Sequence, residues 1–451
     1  MNKMNRRQFI KDSTVTIASL TVVPRHVLGG PDTVAPSDKL NIAGIGVGGQ
    51  GGGDISRVSS ENIVALCDVD WKRAEKTFKK FPQAKRYRDF RKMLEKQKDI
   101  DAVVVATPDH VHAVAAVYAL KMGKHVYVEK PLAHTIHEVR VMRKTAKEAG
   151  VATQMGNQGH AEETMRMLKE WLDDGAIGKV RKIEAWTPHP VWPQGIYRPK
   201  EQPSVPDYLS WDLWLGPAPY RPYHPAYLPA AWRGWWDFGT GALGDMGCHI
   251  FDPVFYALEL SYPSSVEASY SIFVPETMNW DKPKNGESYP RASIVRYQFP
   301  ERANYPPLKL TWYDGGLMPE RPEELEEDRR MGSPFGGLLF FGDKGKILCG
   351  SHGAESLRLI PEKRMKEYKL PKKTLPRSVG HFKEWITACK GNRPAGSNFD
   401  YAAPLTETVL LGNIAIRTGQ KIILDTKTGK IKNLPEANNY LKREYRKGWS
   451  L

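Results

Sequence analysis

Cysteine is scarce: four residues in 451, Cys67, Cys248, Cys349 and Cys389, far apart along the chain. No Cys-x-x-Cys pair occurs, which leaves zinc-ribbon and thioredoxin-like chemistry without support. Small buried thiols are the expected reading. A basic block is missing as well. The formal charge is +15, of which Lys3, Arg6, Arg7, Lys11 and Arg25 against Asp12 supply +4, leaving +11 on the rest. Those charges are mixed with acids, as in Glu320 to Arg330, so no nucleic-acid groove is expected. An anionic substrate is compatible with the charge, though surface solubility accounts for it equally. After residue 30 no apolar run is long enough to span a bilayer, so stable membrane insertion is not expected. There is no internal repeat and no low-complexity segment.

The first segment present is Asn5-Arg6-Arg7-Gln8-Phe9-Ile10-Lys11, followed by the weakly apolar run Val15 to Val23. Paired arginines before such a run read as a twin-arginine leader over residues 1–30, and imply the twin-arginine export machinery as partner and a periplasmic or otherwise exported destination. The length suits two domains plus that leader. From Lys39 the pattern alternates apolar strands with amphipathic helices. Strands are expected at Leu40 to Ile45, Asn62 to Cys67, Asp101 to Ala106, His125 to Val128 and Ala152 to Met155, and helices at Ala74 to Phe81, Val111 to Gly123 and Thr135 to Ala149. Repeated β-α units mean a doubly wound parallel sheet, assigned to residues 39–157. Residues 158–425 read as an α+β domain, with strands at Val180 to Thr187, Ser265 to Phe273, Ser293 to Phe299, Leu308 to Tyr313 and Leu338 to Phe341 in a mostly antiparallel sheet with one wet face. Helices are expected at Ala161 to Asp174, His381 to Cys389 and Pro404 to Arg417, and residues 426–451 form a tail.

Gly46-x-Gly48-x-x-Gly51 lies between a strand and a helix, and Asp68 closes the next strand. Glycine there lets backbone approach a pyrophosphate and aims helix N–H groups at it. Asp68 stands at the interval expected of a carboxylate that takes ribose hydroxyls, and its charge favours NAD over NADP. Gly46, Gly48, Gly49, Gln50, Gly51 and Asp68 are therefore the expected cofactor loop. Thr107-Pro108-Asp109-His110-Val111-His112 follows the buried strand at the sheet edge where ligands bind. Thr107 belongs beside the cofactor. His110 and His112 either join it there or serve the structure, and Asp109 suits the first helical turn. Glu129-Lys130-Pro131 ends the next strand at the same edge, so Glu129 and Lys130 are further cofactor-side candidates. Lys130 is either a proton-handling amine or a solvated cap.

In the second domain Asp245 and His249 are four residues apart, and Asp252 follows by three, so a helix places all three on one face. A carboxylate one turn from an imidazole can orient it and raise its basicity. No further ligand at helical spacing completes a metal site, so no metal is expected. Ahead of this helix, Pro188 to Trp236 is rich in Trp and Tyr, including Trp192, Trp211, Trp214, Tyr227, Trp232 and Trp235. Such rings suit pyranose faces, but most are expected to pack the long loop onto its domain.

In this order the motifs resemble the glucose–fructose oxidoreductase/inositol dehydrogenase (Gfo/Idh/MocA) family, over about Lys39 to Asp425. The resemblance implies a Rossmann domain plus an α/β domain with an open sheet. It also implies a catalytic set of Lys130, Asp245 and His249: His249 exchanges the substrate proton, Lys130 polarises the oxygen, and Asp245 positions both. A carbohydrate or polyol is the implied substrate, oxidised or reduced through NAD. The export leader together with the nucleotide loop leads to the separate expectation that NAD is tightly bound and travels with the protein. The Trp-rich stretch, Trp312-Tyr313-Asp314-Gly315-Gly316 and the ending Tyr445-Arg446-Lys447-Gly448-Trp449 are similar to the exported members. Two other readings stand beside it: a redox-neutral lyase or glycosidase working through a transient keto-sugar, and a non-catalytic sugar-binding protein. The family's NAD-dependent glycosidases lack an intact Glu-Lys-Pro, which this chain has, and a binding protein needs no proton-transfer pair. An open sheet face suits a homodimer or homotetramer.

Overall fold

A computed structural model describes residues 38–272, 286–425 and 428–451. The leader expected at residues 1–30 lies outside them.

Six strands build the first sheet: β1 (Asn41–Ile45), β2 (Asn62–Cys67), β3 (Lys85–Tyr87), β4 (Ala102–Val105), β5 (His125–Glu129) and β6 (Thr153–Gly156). Their order is β3-β2-β1-β4-β5-β6, every neighbouring pair parallel. β4 is buried at all four positions, as its Ala-Val-Val-Val sequence requires of a strand covered on both faces. Helices Phe90–Lys96, Asp109–Lys121 and Ile136–Ala149 cover one face, and Gln50–Arg57 and Trp71–Lys80 the other. Ile136–Ala149 starts with a capping box between Thr135 and Glu138 and stops at Gly150 in the left-handed conformation. Helix Asp109–Lys121 is buried nearly all round, because the second domain and the Trp-rich loop close over its outer side.

The second sheet contains β7 (Val180–Trp186), β8 (Ser265–Tyr270), β9 (Ser293–Phe299), β10 (Leu308–Tyr313), β11 (Gly337–Gly342), β12 (Gly345–Gly350), β13 (Arg358–Ile360) and β14 (Ile422–Ile423), in the order β13-β12-β11-β7-β10-β9-β8-β14. β7 and β10 run parallel and the other pairs antiparallel, so the sheet is mixed. Alternation sends Val295, Tyr297, Phe299, Leu310 and Trp312 into the core and Arg296, Gln298 and Lys309 outward. β8 ends at Tyr270, and Phe273, expected in that strand, lies outside the described residues.

Two C-terminal helices tie the halves together. His381–Cys389 places Trp385 against Tyr127 and in one hydrophobic cluster with Ile42 and Ile55 of the first sheet's layer, although sequence grouped it with the second domain. Helix Phe399–Thr418 starts before the expected Pro404, because the Asn398 side chain accepts hydrogen bonds from Asp400 and Tyr401 N–H. One hydrophobic core runs from Ala43 to Ala437 through both sheets. All four cysteines are buried free thiols. Among the described residues no helix is long and apolar enough to cross a membrane.

Candidate active site

Gly46 and Gly49 have positive φ, 77° and 62°, at the turn leaving β1. A Cβ on Gly51 would collide with the Gly46 carbonyl oxygen, and one on Gly46 would come within 2.7 Å of the Ala106 carbonyl oxygen. Only glycine fits this cradle. Helix Gln50–Arg57 begins beyond it with no side-chain cap, leaving its first N–H groups without a side-chain acceptor. Asp68 ends β2 beside the turn. Its Oδ2 accepts from Val47 N–H (2.8 Å) and Gly48 N–H (3.0 Å), and its Oδ1 from Asp70 N–H (2.9 Å). Burial pushes its pKa up to about 6, against the pull of those donors. The Arg73 side chain lies against Gly48 and Gly49. Sequence reading missed this cation, whose charge beside the glycine turn suits a phosphate. The closed glycine turn, the uncapped helix start, the strand-end carboxylate and the adjacent guanidinium together fit a dinucleotide.

A cleft runs from this turn past Thr107, Glu129 and Lys130 to His249 and His352. Gly46, Gly48, Gln50, Asp68 and Thr107 line it; Gly49 and Gly51 shape the turn behind. His110 and His112 are not among the lining residues. The His110 ring nitrogens lie 3.1 and 2.9 Å from the Phe238 and Trp214 carbonyls, pinning the Trp-rich loop to the first domain. Burial lowers the His110 pKa to about 3. His112 contacts the Pro131 and Thr107 carbonyls, each at 2.8 Å, and so ties the two cofactor-side turns together. Both histidines take the structural role.

Glu129 accepts from Gln158 Nε2 (2.7 Å) and from Tyr127 OH (3.3 Å), and burial raises its pKa. Asp54, on the helix after the glycine turn, has its pKa pushed up to about 8 by burial and then by the Glu129 charge. A carboxyl pair therefore lies beneath the cleft, which no sequence spacing indicated.

Lys130 Nζ bonds Asp245 Oδ1 at 2.7 Å and the Asp245 carbonyl at 2.8 Å, with both side chains only 12% exposed. Arg233 Nε donates to the same Oδ1 at 2.8 Å. Burial alone would raise the Asp245 pKa, but the two cations overcome it and hold the carboxyl well below its usual range. This corrects the expected orienting pair: on helix Gly241–Ile250 the Asp245 carboxylate turns to Lys130 and Arg233, not to His249. The His249 ring instead lies 4.5 Å from that of His352, which follows β12. Burial, then Lys130 and His352, lower its pKa, so the imidazole is neutral at pH 7. His352 Nδ1 is fixed by Ser351 Oγ at 2.7 Å.

Asp252 is a second correction. The helix breaks after Ile250, and Asp252 opens the next one, where it bonds His160 Nδ1 (2.9 Å) and Tyr401 OH (2.6 Å), away from the site. Pro253 just after it was the available signal for a new helix start. Among the aromatics, Trp211, Trp214, Tyr227, Trp235 and Phe238 pack one another in a separate small core, as expected for most of them. Trp232 reaches the cleft, with Arg233 4.2 Å above its ring. Among the described residues no group of three His, Cys, Asp or Glu is arranged to hold a metal ion.

Fold and site together define a two-domain dinucleotide-binding protein with a lysine–aspartate–histidine cluster at the sheet edge. Residues 39–157 match the Gfo/Idh/MocA model described as "Oxidoreductase family, NAD-binding Rossmann fold", and residues 168–274 its C-terminal alpha/beta domain, together half of the chain. The chain belongs to the Gfo/Idh/MocA oxidoreductase family.

It is 27% identical to levoglucosan dehydrogenase of Pseudarthrobacter phenanthrenivorans, over 42% of this chain and 40% of that protein. It is 30% identical to inositol 2-dehydrogenase of Salmonella typhimurium, over 34% and 49%. The chain thus spans less than half the length of these curated relatives. Among solved structures, the WlbA dehydrogenase of Bordetella pertussis in complex with NADH and UDP-GlcNAcA shares the fold. It has a TM-score of 0.58 and 17% identity, over 86% of this chain and 99% of that one.

Proposed function

We propose that this chain is an NAD-dependent oxidoreductase that moves a hydride between bound nicotinamide and a hydroxyl or ketone carbon of a carbohydrate or polyol. One observation carries the reading: Lys130 and His249 line the same cleft as the glycine turn and Asp68, with Asp245 bonded to the lysine behind the wall. The sugar and polyol dehydrogenases among its relatives support the substrate class.

NAD, when bound, supplies the hydride acceptor. His249 is the base: neutral and buried, it takes the proton of the substrate hydroxyl. Lys130 presents its ammonium to the same oxygen and steadies the charge that develops as the proton leaves. Asp245, held by Arg233, fixes the lysine's position. His352 flanks His249 and limits its tilt. Asp68 takes ribose hydroxyls, a choice that favours NAD over NADP.

The paired arginines support export by the twin-arginine machinery to the periplasm, and the Trp-rich stretch and the Tyr445–Trp449 ending support the exported subgroup. An exported enzyme has no free NAD to draw on, so the cofactor is carried tightly bound and reset in place by successive substrates. The wet sheet face suits a homodimer or homotetramer.

The test is a panel of sugars and polyols, following nicotinamide absorbance and product masses together. A reduced nicotinamide with a product lighter by two hydrogens supports the reading. Elimination or hydrolysis products with no net reduction would replace it with the redox-neutral lyase or glycosidase.

A further inference from the structure

The C-terminal residues 443–451 return to the first domain and bridge it to the Trp-rich loop. Arg443 Nε and Tyr445 OH both donate to Glu138 Oε1, at 2.8 and 2.6 Å. Arg443 Nη2 also reaches the His110 carbonyl at 2.6 Å. On the loop side, Arg446 N–H donates to the Pro217 carbonyl (3.1 Å), its Nε to the Gly216 carbonyl (3.1 Å), and its guanidinium pairs with Asp212. Lys121 Nζ holds the carbonyl of Leu451 at 2.9 Å. Residues 443–451 are thereby tied both to the first domain and to the loop.

Between those anchors, the Trp449 ring lines the cofactor cleft. The Arg91 guanidinium sits 4.3 Å from the ring centroid, and Arg91 is itself held two-pronged by Asp89. Phe90 is 6.0 Å away, ring to ring. Asp89 and Phe90 follow β3, one strand further from the glycine turn than Asp68 at the end of β2. The part of the cleft near Trp449 therefore lies beyond the ribose-binding carboxylate. Its walls there include Val69, Phe90, Val111 and Leu213, flat or apolar surfaces of the kind a purine needs.

We propose that residues 443–451 are part of the cofactor site. They form a strap that clasps the Trp-rich loop to the first domain, with Trp449 closing the adenine end of the cleft and slowing nucleotide release. The inference rests on the reading of NAD as the cofactor. Strap and loop must part before the nucleotide can leave, which gives the exported enzyme a physical means of keeping it.

The test is the dissociation rate of NADH, read by its fluorescence when loaded full-length protein is mixed with excess NAD. Trp449→Ala should release NADH about 10-fold faster or more, the usual scale for losing a base-stacking ring. Truncation before Arg443 should accelerate release further, and Trp449→Phe should stay close to the unmodified rate. Arg446→Ala, which cuts the loop anchor without touching the cleft wall, should also speed release. Unchanged release in Trp449→Ala and Arg446→Ala would overturn the strap. Should the truncated chain not fold, these two variants decide alone. Failure of the unmodified protein to bind NADH at all would instead overturn the cofactor reading beneath the strap.

Discussion

The 2.7 Å bond between Lys130 Nζ and Asp245 Oδ1 joins the end of β5 in the first domain to helix Gly241–Ile250 of the second. The salt bridge thus lies on the domain boundary and holds an amine at the sheet edge where the nucleotide turn opens. Arg233 completes it from the Trp-rich loop, so three separate parts of the chain fix one ammonium. Lys130→Met and His249→Ala should each lower kcat by about 10²–10⁴, the usual value of a positioned acid–base group, while bound nucleotide survives. Near-normal kcat in both variants would remove them from the mechanism.

Arg233→Ala leaves Asp245 paired with Lys130 alone. It should lower kcat by about 10-fold or more by letting the lysine drift, with the salt bridge itself retained. Arg233→Lys should recover part of the loss, since one donor to Oδ1 is restored. A pure folding role would lower thermal stability in step with activity and give no such rescue.

Asp68 has its pKa raised to about 6, and only its ionised form accepts from ribose hydroxyls without offering a proton. NAD affinity should therefore fall as pH drops through about 6 and be level above it. Asp68→Ser should weaken NAD binding, remove that pH dependence and narrow the gap to NADP. Calorimetric titration of both nucleotides across pH 5 to 8 checks this, and tighter NADP than NAD binding in the unmodified protein would contradict it.

Asp54 holds its proton to about pH 8 in the folded state, against an ordinary carboxyl value of 3.8 when unfolded. A raised folded pKa means that the folded state binds the extra proton. Its stabilisation is complete below pH 3.8 and is lost as pH rises through 8. Asp314, raised to about 7 by burial, adds to the same trend up to about pH 7. His110 and His249 have depressed pKa values and contribute no slope above their ordinary 6.5. Above pH 6.5, where the histidines no longer oppose it, melting temperature should thus fall up to about pH 8 and then level, and Asp54→Asn should flatten the fall.

Much of the first domain was legible because its signals are local. The turn, the helix after it and Asp68 lie within one β-α-β unit, and spacing alone relates them. The Asp245–His249 spacing placed both side chains on one helix face, but spacing says nothing about which partner each turns to. The partners, Lys130, Arg233 and His352, come from distant segments brought in by tertiary packing. Trp449 was visible only as part of a terminal pattern, since nothing in a sequence shows a tail folding back across two domains. The parallel β7–β10 pair was equally hidden, because strand periodicity carries no direction.

The most direct test of the account follows the hydride itself. A sugar or polyol that the protein turns over is prepared with deuterium on the reacting carbinol carbon and given to protein loaded with NAD. The nucleotide is then extracted after a single turnover and weighed by mass spectrometry. The account predicts one deuterium on the nicotinamide, and none when Lys130→Met replaces the unmodified protein. A substrate converted with no deuterium ever reaching the nicotinamide would contradict it.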